Sequence, residues 1–429
     1  MKKNVLIFGG GSYSASQVYF ALKDSLRYRP ILASSNDNHS TFICKNAKID
    51  LPYDSSPNFV SELNRVIREN GIEFIIPTHD TAALRLRENE DLIEAIIVCS
   101  PLETTKMCRY KSMTYECLKE FDFVPTTYLP NEGNFVYPLF AKDDVGQGGK
   151  NSHLINSEED LLKLNSKINY VYCEYLPGEE ITIDCFTDRN GRLLFCQPRT
   201  RARILNGISA RTENLVLTDE IKNIVESISS KIKFRGYWFI QCKKDRNGKY
   251  KLLEIATRFA GTFGLSKNLD VNLPLLALQD FSDVDVSVSP NNYHIIADKS
   301  YIDRYLLDYE YERVYIDFDD TIVFERERYN IDVIRFIYQC LNMKKQIYLI
   351  TKHEFDIFET MKKVRLNKEI FDEIVIVPKD RFKWEYMEKG IPAIFIDNAY
   401  NERMLVKREL GIPTFDVTNV ECLIDWRNI

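Results

Sequence analysis

The sequence predicts a protein that combines α/β and α+β folds in three structural parts. Apolar strands separated by helical patterns in the first part indicate a parallel, doubly wound sheet. In the second part, two antiparallel hairpins with the turn sequence DRNG indicate an α+β unit, and β/α alternation returns in the third part. The predicted parts are residues 1–107, 108–295 and 312–429, with a polar linker over residues 283–292 or up to residue 311.

The composition is that of a folded protein with a packed core. Of its 429 residues, 45% are hydrophobic and 28% are charged, which argues against disorder. The net charge of −6 argues against a nucleic-acid partner, because binding to a phosphate backbone usually needs a basic field. No apolar run reaches the ~18 residues that would span a membrane. The ten cysteines form no CxxC pair, so we expect buried thiols of a cytoplasmic protein rather than disulfides or zinc ligands.

The first part begins with an apolar strand that runs into the glycine turn GGGSYSA. The turn lacks a complete GxGxxG motif, and no acidic residue clearly closes the second strand, so a dinucleotide site has only weak support. The favoured interpretation is a tight turn that exposes helix-end N–H groups to an anion or a substrate. Strands are predicted at residues 5–11, 30–34, 74–80 and 96–100, and helices at residues 16–25 and 59–70.

The second part contains a lysine that ends an apolar strand just before a glycine-rich loop. Lys142 ends this strand, and the loop DDVGQGGK spans residues 143–150. Glycines let backbone N–H groups approach phosphate oxygens and the lysine adds a positive charge, so the pattern indicates phosphate binding. A surface hairpin with a solvated lysine is the alternative. The predicted elements are helices at residues 111–121 and 158–164 and strands at residues 139–142, 152–155, 171–174, 182–188, 193–197, 236–244 and 250–255.

A pair of oxygen ligands is predicted on the second hairpin. Gln241 and Glu254 lie on adjacent antiparallel strands across a tight turn, which directs both side chains toward one site. Mg²⁺ is usually held by one or two protein carboxylates together with nucleotide phosphates, so a sparse protein ligand set is sufficient.

An arginine-rich segment follows the strand at residues 193–197. Because alternate residues after a strand line one face, we expect a clamp for an acyl phosphate and an acidic substrate. A solvated sheet edge is the alternative. The arginines are Arg199, Arg201, Arg203 and Arg211.

The third part begins with the segment VYIDFDDTIV, residues 314–323. Asp317 and Asp319 end an apolar strand two residues apart, so their side chains are expected to converge. Two carboxylates at the end of a buried parallel strand supply oxygen ligands for Mg²⁺ and a nucleophile beside an acid/base. Strands are predicted at residues 314–318, 346–351, 374–377 and 394–397.

In this order and spacing, the motifs of residues 1–290 resemble those of the ATP-grasp superfamily, which includes carbamoyl phosphate synthetase and many carboxylate–amine ligases. The resemblance implies a leading pre-ATP-grasp sheet, a two-lobed ATP-grasp module, and ATP and Mg²⁺ as cofactors. Phosphate would be bound by two lysines and the glycine loop, adenine by Glu174 and the backbone of Leu176, and ribose by Glu180. The implied ATP-binding residues are Lys111, Lys142, Gly148, Gly149, Glu174, Leu176 and Glu180.

The same resemblance assigns roles in the segment QCKKDRNGKYKLLEIATRFAG. Gln241 and Glu254 would hold Mg²⁺, and Arg258 would lie near the transferred phosphoryl group. The family pattern is close to E-x-N-P-R, whereas this chain has E-I-A-T-R. Ala256 therefore replaces the asparagine that would be a ligand of a second Mg²⁺.

Residues 312–429 resemble an uncapped, Rossmann-like haloacid dehalogenase domain. The resemblance implies that Asp317 forms an aspartyl phosphate, Asp319 acts as acid and base, and Thr351 binds the phosphoryl group. A lysine would steady the charge, with Lys383 favoured over Lys379. The acids implied to bind metal are Asp317, Asp319, Asp397 and Glu402. The alternative is a domain that has lost this catalytic activity and serves in assembly.

Together these patterns predict a bifunctional cytoplasmic enzyme. An ATP-dependent carboxylate–amine ligase would act on a small-molecule acid and amine, and a Mg²⁺-dependent phosphatase would follow it in the chain. Two alternatives stay open: a small-molecule kinase, and a nucleotide-binding regulatory or scaffold protein with impaired sites, for which Ala256 is the main support. Homodimer formation is left open.

Overall fold

The computed structural model describes residues 2–129, 135–146, 148–205, 207–300, 302–325 and 327–427. Gln147 of the predicted glycine-rich loop and Asn206 of the arginine-rich segment lie outside these residues. The chain forms two compact units, which we call the amino-terminal unit (residues 1–41 and 46–301) and the carboxy-terminal unit (residues 42–45 and 302–429). No helix in the described ranges is long and apolar enough to cross a membrane. All ten cysteines are free thiols.

The amino-terminal unit opens with the predicted parallel sheet, whose strand order is β2-β1-β3-β4. Its first helix starts at Tyr13, earlier than predicted, because the hydroxyl of Ser12 accepts a hydrogen bond from the Ala15 N–H at 3.0 Å and caps the helix. The predicted helix at residues 111–121 is shorter and follows a second helix. The elements are β1 Lys3–Phe8, α1 Tyr13–Leu22, β2 Tyr28–Ala33, α2 Phe59–Asn70, β3 Ile72–Pro77, α3 Asp80–Glu88, β4 Ile96–Ile97, α4 Leu102–Arg109 and α5 Lys111–Cys117.

A small antiparallel sheet follows, with strand order β5-β8-β6-β7. Lys142 pairs with Ser152 on one side and with Val171 on the other. The buried side chains of Leu139, Ala141 and Ile155 form its core. The elements are β5 Thr127–Tyr128, β6 Leu139–Asp143, β7 Ser152–Ile155, α6 Glu158–Leu162 and β8 Tyr170–Glu174.

The rest of this unit contains a larger antiparallel sheet with strand order β10-β9-β13-β14. It also contains a three-stranded sheet with strand order β11-β12-β15. Both predicted DRNG hairpins are present, and their glycines Gly191 and Gly248 have positive φ, which a tight turn requires. The elements are β9 Glu180–Thr187, β10 Leu193–Thr200, β11 Arg203–Leu205, β12 Ile208–Glu213, α7 Asp219–Lys231, β13 Gly236–Lys244, β14 Tyr250–Ala256, α8 Gly264–Lys267, α9 Leu273–Asp280 and β15 Ile296–Asp298.

The carboxy-terminal unit has a five-stranded parallel sheet with order β20-β19-β16-β21-β22. Its central strands are fully buried, as expected for a parallel sheet covered by helices on its faces. The carboxyl ends of β16, β19 and β21 lead to Asp317, Thr351 and Asp397, so these residues share one edge. The elements are β16 Arg313–Ile316, β17 Val323–Phe324, β18 Arg328–Tyr329, α10 Ile331–Asn342, β19 Gln346–Thr351, α11 Ile357–Lys363, β20 Glu373–Ile376, β21 Ala393–Ile396, α12 Tyr400–Leu410 and β22 Thr414–Phe415.

Candidate functional site

A cavity of about 760 Å³ in the amino-terminal unit contains nearly all of the site residues predicted for that unit. Its wall is formed by the start of α1, the end of β3, the small sheet and the β10-β9-β13-β14 sheet. Of the predicted residues, Lys111, Lys142, Gly148, Gly149, Glu174, Leu176, Glu180, Arg199, Arg201, Gln241, Glu254 and Arg258 line it. Arg203 is not among the described lining residues.

The two predicted phosphate-binding lysines are both buried in the cavity wall. The ammonium of Lys142 is 2.5 Å from the Tyr115 hydroxyl and 3.3 Å from the Leu253 carbonyl oxygen. Lys111 donates instead to the carbonyl oxygens of Asp143 at 3.1 Å and Gly146 at 3.0 Å, at the start of the glycine-rich loop. Burial lowers the pKa of Lys111. Two cations therefore flank this loop.

Two predicted nucleotide-binding carboxylates are already engaged with the protein. Glu174, at the end of β8, accepts a hydrogen bond from the backbone N–H of Thr126 at 2.8 Å. Glu180 lies 2.7 Å from Nε of Arg201. Leu176 is buried in the cavity wall. The structure thus gives the two carboxylates fixed positions before any ligand binds.

The predicted magnesium ligands lie side by side. Gln241 and Glu254 are directly paired in the β13–β14 register, and Thr182 of β9 pairs with Gln241 on its other side. The Thr182 hydroxyl is buried without a hydrogen-bond partner in the described part of the chain. An amide oxygen, a carboxylate and an unpartnered hydroxyl are hard oxygen donors, so these residues fit Mg²⁺ completed by phosphate. No three His, Cys, Asp or Glu side chains of the described residues form a metal cluster by themselves.

Arg199 is a buried structural residue rather than a free substrate clamp. It is 1% exposed, and its guanidinium contacts the Asp184 carboxylate at 2.7 and 3.2 Å. The Tyr237 hydroxyl donates to the same carboxylate at 2.5 Å. A third hydrogen bond joins Arg199 to the Thr262 hydroxyl. Each nitrogen of the Arg199 guanidinium therefore has an acceptor within the protein.

Arg203 departs from the predicted clamp. It is exposed and forms an ion pair with Asp298. The expectation that alternate arginines share one face is wrong at this residue, because β10 ends at Thr200 and β11 begins in a different sheet. Periodicity holds only within one continuous strand.

Arg258 is held by an acid that the sequence analysis did not single out. Its Nε lies 2.7 Å from Asp80, the first residue of α3. Burial opposes the ionisation of Asp80, but Arg258 outweighs it and holds the pKa of that carboxyl below its usual value. The signal in the sequence was the acid that ends the segment FIIPTHD, just after an apolar strand, because such strand ends share one sheet edge.

A second polar cluster lies in the carboxy-terminal unit. The ammonium of Lys383 is 2.7 Å from Asp317 and 2.5 Å from Asp397. Burial raises the pKa of Asp317 and, together with the charge of Asp317, raises the pKa of Asp397 to about 6, against the pull of Lys383. Lys379 is exposed and pairs with Glu354, so Lys383 is the lysine that reaches Asp317.

The other predicted residues of this cluster differ in their contacts. Asp319 is 2.8 Å from Nδ1 of His353, a buried residue that sequence reasoning missed although it follows the strand end at Thr351 closely. The Thr351 hydroxyl is buried and has no hydrogen-bond partner within the described ranges. Glu402 accepts from Lys352 at 2.6 Å and from the Lys383 backbone N–H at 3.2 Å. It is therefore tied to lysines rather than grouped with the aspartates in a metal cluster.

Comparison with solved structures shows that about two thirds of the chain has a fold similar to those of a biotin carboxylase domain, a carboxyaminoimidazole synthetase and an amino acid ligase. The biotin carboxylase domain of 2-oxoglutarate carboxylase from Hydrogenobacter thermophilus, solved with MgADP, ADP and bicarbonate, is 17% identical (TM-score 0.57; 69% of this chain and 74% of that chain). N5-carboxyaminoimidazole synthetase from Staphylococcus aureus is 18% identical (0.54; 67% and 79%). L-amino acid ligase from Bacillus licheniformis is 16% identical (0.51; 65% and 74%).

One protein-family model also matches part of the chain. Residues 168–300 match the family described as "ATP-grasp in the biosynthetic pathway with Ter operon". None of the curated protein sequences compared with the chain matches it significantly. The predicted resemblance of residues 312–429 to haloacid dehalogenases stays a prediction.

The two arginines provide a direct test of the buried ion pair. We expect Arg199→Met to lower the free energy of unfolding by about 3–5 kcal/mol, because it leaves Asp184 buried without its partner. Arg203→Met, the matched control at an exposed pair, should cost at most about 1 kcal/mol. Urea unfolding measures both. Equal effects of the two changes would contradict the structural role of Arg199.

Proposed function

We propose that the amino-terminal unit is an ATP- and Mg²⁺-dependent ligase that joins a carboxylate to an amine through an acyl phosphate. The observation that carries this proposal is the single cavity lined by Lys111, Lys142, the glycine-rich loop, Gln241 with Glu254, and Arg258. The fold supports it, because the similar carboxylase and amino acid ligase structures include one solved with MgADP.

Each wall of the cavity has its own task in this proposal. Lys111, Lys142 and the N–H groups of Gly148 and Gly149 bind phosphate oxygens, which need cationic and backbone donors. Glu174 and the backbone of Leu176 face adenine, and Glu180 accepts from the ribose hydroxyls. Gln241 and Glu254 would hold Mg²⁺, and the ion would supply charge neutralisation for the transferred phosphoryl group.

The chemistry then follows from the position of Arg258. A substrate carboxylate oxygen attacks the γ-phosphorus, the bond to the β-phosphate oxygen breaks, and ADP leaves with the electron pair. Arg258 stabilises the charge that spreads over the equatorial oxygens, and its own orientation is held by Asp80. The amine next attacks the acyl carbon, inorganic phosphate leaves, and the amine loses a proton.

One residue, Ala256, favours two alternatives to the ligase function. Ala256 is buried opposite Phe239 and provides no metal ligand, so the reaction could stop at phosphoryl transfer to a hydroxyl, or the site could only bind nucleotide. Mass spectrometry of reactions with candidate acids and amines separates these outcomes. An amide product supports the ligase, a phosphorylated product supports a kinase, and ATP binding without turnover supports a regulatory protein.

For the carboxy-terminal unit we propose a Mg²⁺-dependent phosphatase. Asp317 attacks phosphorus while Asp319 gives its proton to the leaving oxygen, and Asp319 then takes a proton from the water that releases phosphate. Lys383, 2.7 Å from Asp317, steadies the phosphoryl charge, and the buried hydroxyl of Thr351 donates to the phosphoryl group. Asp317 and Asp397 supply carboxylates for the metal, which stabilises the same charge.

The first test concerns ATP binding. We expect Lys142→Met to weaken ATP binding about tenfold or more, because a charged hydrogen bond contributes about 1.5–3 kcal/mol. Calorimetry measures the affinity, and circular dichroism checks the fold. Lys222→Met, an exposed change on α7, is the control and should bind ATP as the wild type does. Unchanged affinity in folded Lys142→Met would show that this lysine does not bind phosphate.

The second test concerns the metal ligands. Because Glu254 is the one carboxylate among the proposed Mg²⁺ ligands, we expect Glu254→Gln to reduce ATP turnover steeply. It should also raise the Mg²⁺ concentration needed for the half-maximal rate. Ala256→Asn adds an oxygen ligand and should lower that concentration or raise turnover. ADP release against Mg²⁺ concentration is measured for all three proteins. Identical curves for the wild type and Glu254→Gln would refute the metal assignment.

The third test concerns the independence of the two units. Asp317→Asn should abolish hydrolysis of p-nitrophenyl phosphate, because an amide is not a nucleophile, and should leave ATP turnover unchanged. Asp332→Asn, an exposed change on α10, is the matched control and should retain both activities. If a folded Asp317→Asn protein hydrolyses the ester at the wild-type rate, the aspartyl phosphate mechanism is wrong.

A further inference from the structure

Lys299 is a partly buried lysine that neither the sequence analysis nor the proposed reaction uses. It follows β15, and its backbone N–H donates to the Ala210 carbonyl oxygen at 2.9 Å. Its ammonium is buried, yet no described residue accepts a hydrogen bond from it. An unpaired charge in such a place costs free energy, so a ligand that pairs with it is expected.

Residues near Lys299 line the cavity, and Lys299 lies behind them rather than among the described lining residues. Its Nζ lies 3.9 Å from the centre of the Tyr13 ring, and Tyr13 lines the cavity at the start of α1. Arg199 and Arg201, which also line the cavity, act electrostatically on Lys299.

The charges in this region do not balance. Arg199 is paired with Asp184, and Arg201 with Glu180. Within the described ranges, Lys299 has no carboxylate of its own. Burial, followed by the charges of Arg199 and Arg201, lowers the pKa of Lys299 to about 7. Of Arg199, Arg201 and Lys299, Lys299 is therefore the one without a carboxylate partner in the described part of the chain.

We propose that Lys299 binds an oxyanion, a carboxylate or a phosphate group, carried by the small-molecule substrate of this cavity. The assignment of this oxyanion to a substrate rests on the proposed ligase function, whereas the binding of an anion by Lys299 does not. The oxyanion would lie beside Tyr13, whose ring centre is 3.9 Å from the Lys299 ammonium.

The experiment uses malonate and inorganic phosphate as probes on the full chain without nucleotide. Calorimetry should show binding to the wild type and to Lys299→Arg, and an affinity at least about tenfold weaker for Lys299→Met, as expected for a lost charged hydrogen bond. Lys249→Met, a change at an exposed turn, is the matched control and should bind as the wild type does. Equal affinities of the wild type and Lys299→Met for both probes would overturn the proposal.

Thermal stability distinguishes a ligand-binding lysine from a structural one. The folded-state pKa lies below the ordinary value, so the cost of the buried charge is complete below pH 7 and declines as pH rises toward the ordinary pKa. Lys299→Met should therefore unfold at a higher temperature than the wild type at pH 6, with a gain that shrinks toward pH 10. The groups that surround Lys299 are Tyr13, Arg199, Arg201, Arg203, Arg211 and Asp298.

Two outcomes separate this inference from the proposed function. A lower unfolding temperature of Lys299→Met at pH 6 would identify Lys299 as structural and overturn the inference. ATP binding is measured in parallel on the same proteins. If ATP binding is normal and the Lys299→Met change does not alter anion binding, the inference is refuted and the proposed function is not. If ATP binding is absent, the malonate and phosphate measurements still test the inference.

Discussion

The buried ion pair between Asp184 and Arg199 holds together the floor of the cavity. Asp184 lies on β9, Arg199 on β10, and the Tyr237 hydroxyl from β13 donates to the same carboxylate. Tyr237 also stacks on Phe259 at 4.5 Å, next to Arg258 in the chain. Three strands and the segment that carries Arg258 are thus joined at one carboxylate, so the positions of the residues on the cavity surface depend on it.

The two polar clusters use lysines in different ways. In the amino-terminal unit, Lys142 is close to a hydroxyl and a carbonyl, so its charge is available to an anion. In the carboxy-terminal unit, Lys383 lies between the carboxylates of Asp317 and Asp397. Its charge there keeps two buried acids close together, which their mutual repulsion would otherwise oppose.

The sequence predicted those structural features whose residue pattern lies within a single strand or a single turn. The DRNG turns, the pairing of the Gln241 and Glu254 strands, and the position of Lys142 on a strand just before the glycine-rich loop are of this kind. The prediction for Arg203 failed because the alternation expected after the strand at residues 193–197 does not reach it: β10 ends at Thr200, and Arg203 begins β11 in another sheet. Asp80, His353 and Lys299 were missed because their importance comes from partners far away in the chain, or from the lack of one, which periodicity does not encode.

The hydrogen bonds of Lys111 have a consequence for the energetics of ligand binding. An ammonium group has three N–H donors, and the carbonyl oxygens of Asp143, Asp144 and Gly146 lie within reach of it at 3.1, 3.4 and 3.0 Å. A phosphate oxygen that binds Lys111 must displace one of these carbonyls. The loop and the nucleotide therefore compete for one cation, and the measured affinity of any phosphate ligand will contain the free energy of rearranging the loop.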